Sequence, residues 1–502
     1  MASVFDSLTP YAKLVAQVYG VLHPVPLARS NLLRLCAAAE VRHDRRRITP
    51  EQIRAANREL RDAGIGSETR DASFVLEPHW PLPLTRKAFE NDLIEPIWSA
   101  FDIVQPHHRF YMNPARMEMI ARHCTVTGHF HDLDVLAALP TSIWRFLAYD
   151  TEKEYLPALP DRYRKAGVIA SLTEAIENLA PSDHIIPEVA KLDDLDGNYA
   201  AGVAFLRILR GEFDAAVAAF DRLPPDVRNQ SNALMQRAST LAMVATLEGN
   251  DTGAAALIEN ACELDRTGTR KRKSFPHSRA FCVALLALVR SGQPAAIDRL
   301  REIHRASDPR HPHPQLADVS QLALGARSGG VYALSFSAET ALHYLIVGLV
   351  QCWTTERLGI DTKQFVLRLV RLLERATSTG HVWMASEYAA IIDRLAAEAA
   401  ESTAPATLIE RVAEIAQTVQ ADLGVVSLTG LVTQRPPWEA ALDELEVLAF
   451  ETGKAANRRK KPAKRKAAKR LLWELDVSDW GVTLQPKLQT ASRDGWGRSK
   501  NT

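Results

Sequence analysis

Apolar residues at helical spacing open the chain in two stretches, Pro10 to Tyr19 and Leu27 to Val41, parted by the proline-bearing HPVP. A third stretch, TPEQIRAANRELRDAGIG, carries its own start and stop signals: Thr49 can cap, Pro50 fits the first turn, and Gly64 or Gly66 ends the helix. On it Ile53, Ala56 and Leu60 form an apolar stripe, while Arg54, Asn57, Arg58 and Arg61 populate the rest of the surface. The period then switches in SFVLE, a short strand.

Three helices followed by a strand resemble a winged helix, with residues 49–64 in the recognition position. A basic face bearing Asn57 suits phosphates and base edges in a major groove. The competing expectation is a solvated helix in a generic bundle, because basic surface faces are common.

Repetition organises the middle of the chain. In YAAGVAFLRILRGEFDAAVAAFDRLP one helix closes at Gly211, Phe213 follows, and a second helix carries Ala216, Phe220 and Leu223 on one face. In STLAMVATLEGNDTGAAALIENACEL, Gly249 takes the same place, with Ala254, Ile258 and Ala261 at the same offsets. A looser copy, FCVALLALVRSGQPAAIDRLREIH, has Gly292, Ile297 and His304. Glycine lets the chain reverse, and small alanines let the paired helices approach closely. The unit resembles a tetratricopeptide-type helical hairpin, so the copies are expected to stack into a curved array, against the alternative of an irregular bundle. Further helices are expected from Gln315 to Val426 without a readable period.

PPWEAALDELEVLAFETG, from Pro436 to Gly453, is amphipathic, with Trp438, Leu442, Leu445 and Leu448 on one side. Ten Lys and Arg with no acid follow from Lys454 to Arg470. RLLWELDVSDWGVTLQPKLQT then alternates about a turn at Ser478 to Gly481 and predicts a β-hairpin. The expected fold is mainly α. A winged-helix-like domain occupies 1–155 and a helical repeat array 156–436; an amphipathic helix at 437–453, a basic linker at 454–470, and a hairpin with its tail at 471–502 follow.

Charge sharpens this picture. The chain of 502 residues is formally +1, yet without the ten cations of the linker 51 basic residues face 60 acidic ones, so positive charge is segregated. Its self-repulsion and Pro462 favour an extended connector. Five cysteines without CxxC pairs indicate a reducing compartment. The start lacks a signal-peptide pattern, and the longest apolar run, Ala341 to Trp353, is too short to cross a bilayer. The expectation is a cytoplasmic protein with no membrane partner.

Candidate chemistry is sparse. HCTVTGHFHD gathers His123, Cys124, His129, His131 and Asp132, with His107 and His108 upstream, but the spacing matches no common zinc site, and polar loop histidines are the expectation. There is no G-x-S-x-G, no HExxH and no G-x-x-x-x-G-K-[ST]; the TGK at 452–454 lacks the upstream glycine. No catalytic residue, metal or other cofactor is expected, and ATP hydrolysis has no place to occur.

PPWEAAL, the charged gap, RLLWEL, LQPKLQT and GWGRSK together resemble the segment ahead of the ATPase core in large bacterial Swi/Snf-type (DEAD/DEAH-box-like) helicases. TGTRKRKSFP resembles a TGKRK segment of their helical N-terminal region. The resemblance implies a non-catalytic accessory region of a helicase-type ATPase, meeting a protein partner or the motor domain through the array. It would bind nucleic acid nonspecifically through Lys460, Lys461, Lys464, Arg465 and Lys466, then Arg270, Lys271, Arg272 and Lys273, then Arg54, Arg58 and Arg61. The alternatives are a tetratricopeptide-like scaffold with no nucleic-acid role and a winged-helix DNA-binding regulator.

Overall fold

Thr49 begins its helix as the sequence predicts, with a complete capping box. Its hydroxyl accepts the Gln52 amide at 3.3 Å, and the Gln52 side chain accepts the Thr49 amide at 2.9 Å. This is seen in a computed structural model that describes most of residues 2–303 apart from short stretches, parts of 340–349, residues 362–398, and the strands 473–478 and 481–486. The described residues are mainly helical, with a small antiparallel sheet. They divide into two compact units, residues 1–109 with 456–502 and residues 110–455.

The first unit runs α1 (Ala2–Ser7), α2 (Pro10–Leu22), β1 (Leu27–Ala28), α3 (Arg29–Ala38), β2 (Arg42–His43), β3 (Arg46–Arg47), α4 (Pro50–Asp62), β4 (Gly66–Glu68), β5 (Ser73–Leu76), α5 (Pro81–Glu90) and α6 (Ile94–Val104). Its sheet has the order β1-β5-β4, all antiparallel, with Leu27 opposite Phe74 and Ser67 opposite Val75. The sequence predicts only the central strand of the three. A separate ribbon, β2 with β3, lies between α3 and α4.

Val15, Leu22, Leu32, Leu35, Ile53, Leu60, Phe74 and Phe101 fill the core, and Tyr19 stacks on Phe74 at 4.9 Å. Gly64, at φ 70°, ends α4; Gly66 instead lets β4 approach β5, since a Cβ there would lie 2.3 Å from the Val75 carbonyl oxygen. Helix α2 crosses α5 at Gly20, where a Cβ would lie 2.4 Å from Leu84 Cβ and 3.1 Å from the Thr85 amide nitrogen. Gly20→Ala must push the two helices apart and is expected to cost about 1–3 kcal/mol. A denaturation midpoint equal to wild type would refute that close approach.

The second unit opens with α7 (Pro114–Thr127), α8 (His131–Asp134), a 3₁₀ segment (Thr141–Tyr149), α9 (Tyr155–Ala158), α10 (Asp161–Asn178) and α11 (Ile185–Val189). Next come α12 (Gly197–Leu209), α13 (Phe213–Ala218), which continues as 3₁₀ to Arg222, α14 (Pro225–Arg228), α15 (Ser231–Leu247), α16 (Asp251–Thr269) and α17 (Arg279–Ser291). Two later helices are described, α18 (Thr362–Ser378) and α19 (Val382–Glu398).

One closing device repeats through this unit. Gly211, Gly249 and Gly380 are all left-handed, each two residues before the next helix starts. After each, the following amide bonds back five residues: Glu212 to Arg207, Asn250 to Ala245, and His381 to Ala376, at 2.8–2.9 Å. Gly211 and Gly249 are the predicted closures, Gly380 is an additional one, and Gly292 lies outside the described residues. The predicted inner positions Ala216, Phe220, Leu223, Ala254, Ile258 and Ala261 are all buried. Helix α12 packs on α10 and α15, and α15 on α16 and α17, where Ala245, Ala254 and Ala287 meet. Helix α19 also packs against α12.

The C-terminal hairpin is present as β6 (Trp473–Ser478) and β7 (Gly481–Pro486), with Ser478 opposite Gly481 at the predicted turn. The helix expected at 437–453 and the basic linker lie outside the described residues. Among the described residues no helix is long and apolar enough to cross a membrane.

Candidate nucleic-acid interface

Three kinds of contact fasten α4 to its unit. Ile53, Ala56 and Leu60 are buried, as their spacing requires. Glu59 reaches the start of α2, where its two carboxylate oxygens accept the amide and the hydroxyl of Thr9 at 2.6 and 2.7 Å. Asn57 supplies the third contact and corrects the sequence reading. It is 1% exposed and turned inward, so it cannot meet a base edge.

The inward Asn57 joins a polar chain across the unit. Tyr19 donates its hydroxyl to Asn57 Oδ1 at 3.1 Å, Asn57 Nδ2 donates to Glu68 at 3.2 Å, and Arg29 reaches both oxygens of Glu68 at 2.9 and 3.0 Å. Burial raises the Tyr19 hydroxyl above its ordinary value, so it remains a neutral donor. The chain ties α4 to α2, β4 and the start of α3. Asn57→Ala strands the Tyr19 hydroxyl in a buried site and is expected to cost about 1–3 kcal/mol. Equal urea midpoints for variant and wild type would show that this link carries no stability.

What α4 turns outward is charge. Arg54, Arg58 and Arg61 are all exposed, as predicted. Arg54 pairs with Glu51 at 2.8 Å and Arg61 with Asp62 at 3.0 Å, both at the surface. The Glu51 carboxyl sits below its ordinary value because of its own backbone amide at the helix start and the Arg54 guanidinium. Arg58 has no ion-pair partner among the described residues. Such exposed pairs contribute little and exchange readily for a phosphate.

The remaining candidates are not brought to α4. Arg270 is exposed and left-handed just beyond α16, in the other unit. Lys271, Arg272, Lys273, Lys460, Lys461, Lys464, Arg465 and Lys466 lie outside the described residues. The histidine cluster is dispersed over several elements. His123 is on α7, Cys124 is buried, His129 follows the left-handed Gly128, and His131 begins α8. Among the described residues no three His, Cys, Asp or Glu could hold a metal ion together.

The second unit holds charge of another kind, buried or half-buried between helices. Arg122 on α7 is fully buried, 3.3 Å from Glu118 and 5.9 Å above the Phe146 ring. Burial pushes the Glu118 carboxyl up to about 7 against the pull of Arg122. Glu174 on α10 is raised by burial as well, and accepts the Tyr149 hydroxyl at 2.8 Å and the Asn178 amide at 2.9 Å. Arg145 and Arg279 both reach Glu177, at 3.4 and 2.7 Å. These groups join α7, the first 3₁₀ segment, α10 and α17. A cavity of about 90 Å³ between α11, α12 and α13 is lined mainly by apolar side chains, Val189, Ala200, Val203 and Leu223 among them, with Arg207 and Arg222 also in its wall.

Compared with known proteins, the chain matches no family model, no curated protein and no solved structure.

Proposed function

We propose that residues 10–76 are a winged helix that binds duplex DNA, with α4 entering the major groove. The observation that carries this is the outward placement of Arg54, Arg58 and Arg61 on a helix anchored on its other side by Ile53, Asn57 and Leu60. The order α2, β1, α3, α4, β4, β5 and the sheet order β1-β5-β4 support it. A helix of 13 residues is about 20 Å long and fits a major groove about 12 Å wide. With Asn57 used inside the fold, recognition rests on phosphates more than on base edges, so binding is broadly sequence-independent and salt-sensitive.

In the same proposal the helical hairpins form a tetratricopeptide-like scaffold for a protein partner, supported by the recurring glycine closures and the alanine contacts between helices. The motifs between residues 436 and 498 favour the setting of a helicase accessory region, with its motor domain as partner. The full chain is titrated into a labelled duplex of about two helical turns at low and moderate salt. Weaker binding at the higher salt is expected. Binding that does not change with salt, or no binding at low salt, rejects the proposal.

A further inference from the structure

The ribbon between α3 and α4 arranges charge in a way that folding alone does not favour. Its register sets Arg42 directly opposite Arg47 and His43 opposite Arg46. Directly opposed residues of an antiparallel pair share a face, and like charges placed so repel. Arg42, Arg46 and Arg47 are exposed, and among the described residues the one acid paired with any of them is Glu40, 3.3 Å from Arg42 at the surface. Arg46 and Arg47 have no ion-pair partner among the described residues. The ribbon is nevertheless held firmly at its root. Val41 and Ile48, the residues on either side of it, are 3% and 5% exposed, and the Val41 amide bonds to the Cys36 carbonyl at 2.9 Å. Thr49, the cap of α4, follows immediately.

We infer that this ribbon is a second contact to the duplex, separate from α4, in which Arg42 and Arg47 each neutralise a backbone phosphate. The inference rests on the proposed role of α4, and it names the part of the ligand met beside the groove. An arginine pair that repels itself in the free protein is relieved by an anion set between or beside the two guanidinium groups, and phosphate accepts the bidentate fork that each one offers. Residues 42–61 contain seven arginines and three acids, so ribbon and helix make one continuous basic segment of the chain. The role of Arg46, which alternates to the other face of the ribbon, is left aside by this assignment.

The test measures affinity of the full chain for a labelled duplex across a salt series, in wild type, Arg42→Gln/Arg47→Gln and Arg54→Glu/Arg58→Glu. The ribbon variant is expected to lower the slope of log affinity against log salt by roughly 2, from two lost phosphates at about 0.9 each. It is also expected to melt no lower than wild type, because it removes a repulsion. If the helix variant loses affinity while the ribbon variant keeps the wild-type slope, the ribbon contact is wrong and the role of α4 survives. If the helix variant binds like wild type, the role of α4 fails and the ribbon assignment falls with it. A loss of equal size on a single strand of the same length overturns the duplex assignment.

Discussion

Reversing all three outward arginines of α4, as Arg54→Glu, Arg58→Glu and Arg61→Glu together, is expected to weaken duplex binding at low salt about 100-fold or more. Each reversal removes a cation from the helix face and leaves an anion where a phosphate would approach. Arg54 and Arg61 share their charge with Glu51 and Asp62, and after reversal those acids stand beside new carboxylates, which deepens the repulsion. Arg58 has no ion-pair partner among the described residues, so Arg58→Glu is expected to have the largest effect of the three single changes. The fold should survive, because these side chains lie at the surface and such changes usually move stability by less than about 0.5 kcal/mol. Neutralising Lys460, Lys461, Lys464, Arg465 and Lys466 to Gln gives the comparison. It should flatten the salt dependence while leaving the α4-dependent part in place. Fluorescence anisotropy with one duplex for all variants decides the matter. A triple variant that binds as wild type would make α4 a solvated face.

Helix α4, the candidate contact, is legible where local chemistry sets the structure. Thr49, Pro50 and the stripe of Ile53, Ala56 and Leu60 each act within one turn of helix, and the capping box and inward face follow from them. Asn57 was misassigned although its spacing was informative. It stands four residues after Ile53, on the buried side, and only its polarity argued for solvent. Its partners Tyr19 and Glu68 lie 38 and 11 residues away, so no local pattern announces them. Strands of two residues have no period to read, so the ribbon of Arg42–His43 and Arg46–Arg47 has no signature in the sequence.

The helical unit follows the same division. Gly211 and Gly249 are readable because a left-handed closure favours glycine and because their spacing repeats. Gly380 closes a helix in the same way but falls far outside that spacing, so a search by period passes over it. How α19 comes to lie against α12 depends on side chains from distant parts of the chain. The same holds for the buried charges. In MEMIARHCTV nothing separates Arg122 from a solvated arginine, since its environment is made by Phe146 and the neighbouring 3₁₀ segment.

Arg122→Met is expected to destabilise the second unit by about 1–3 kcal/mol, because it leaves Glu118, one-fifth exposed and still in the field of Arg145, without its adjacent cation. The loss should depend on pH. A carboxyl raised to about 7 in the fold from about 4.5 unfolded binds its proton more tightly when folded. Its contribution therefore favours the fold at low pH and is lost as pH climbs through that window. Without Arg122 the folded carboxyl is raised further, which carries the same loss to higher pH. The variant should consequently lie closer to wild type at pH 5, where the carboxyl is protonated in both folds, than at pH 8. Adding Glu118→Gln to Arg122→Met removes the charge that was left exposed to the apolar interior, and should recover much of the stability at pH 8. Urea midpoints of the full chain at both pH values test each step. If Arg122→Met costs the same at pH 5 and pH 8 and Glu118→Gln restores nothing, Arg122 acts through its packing on Phe146 and not through its charge.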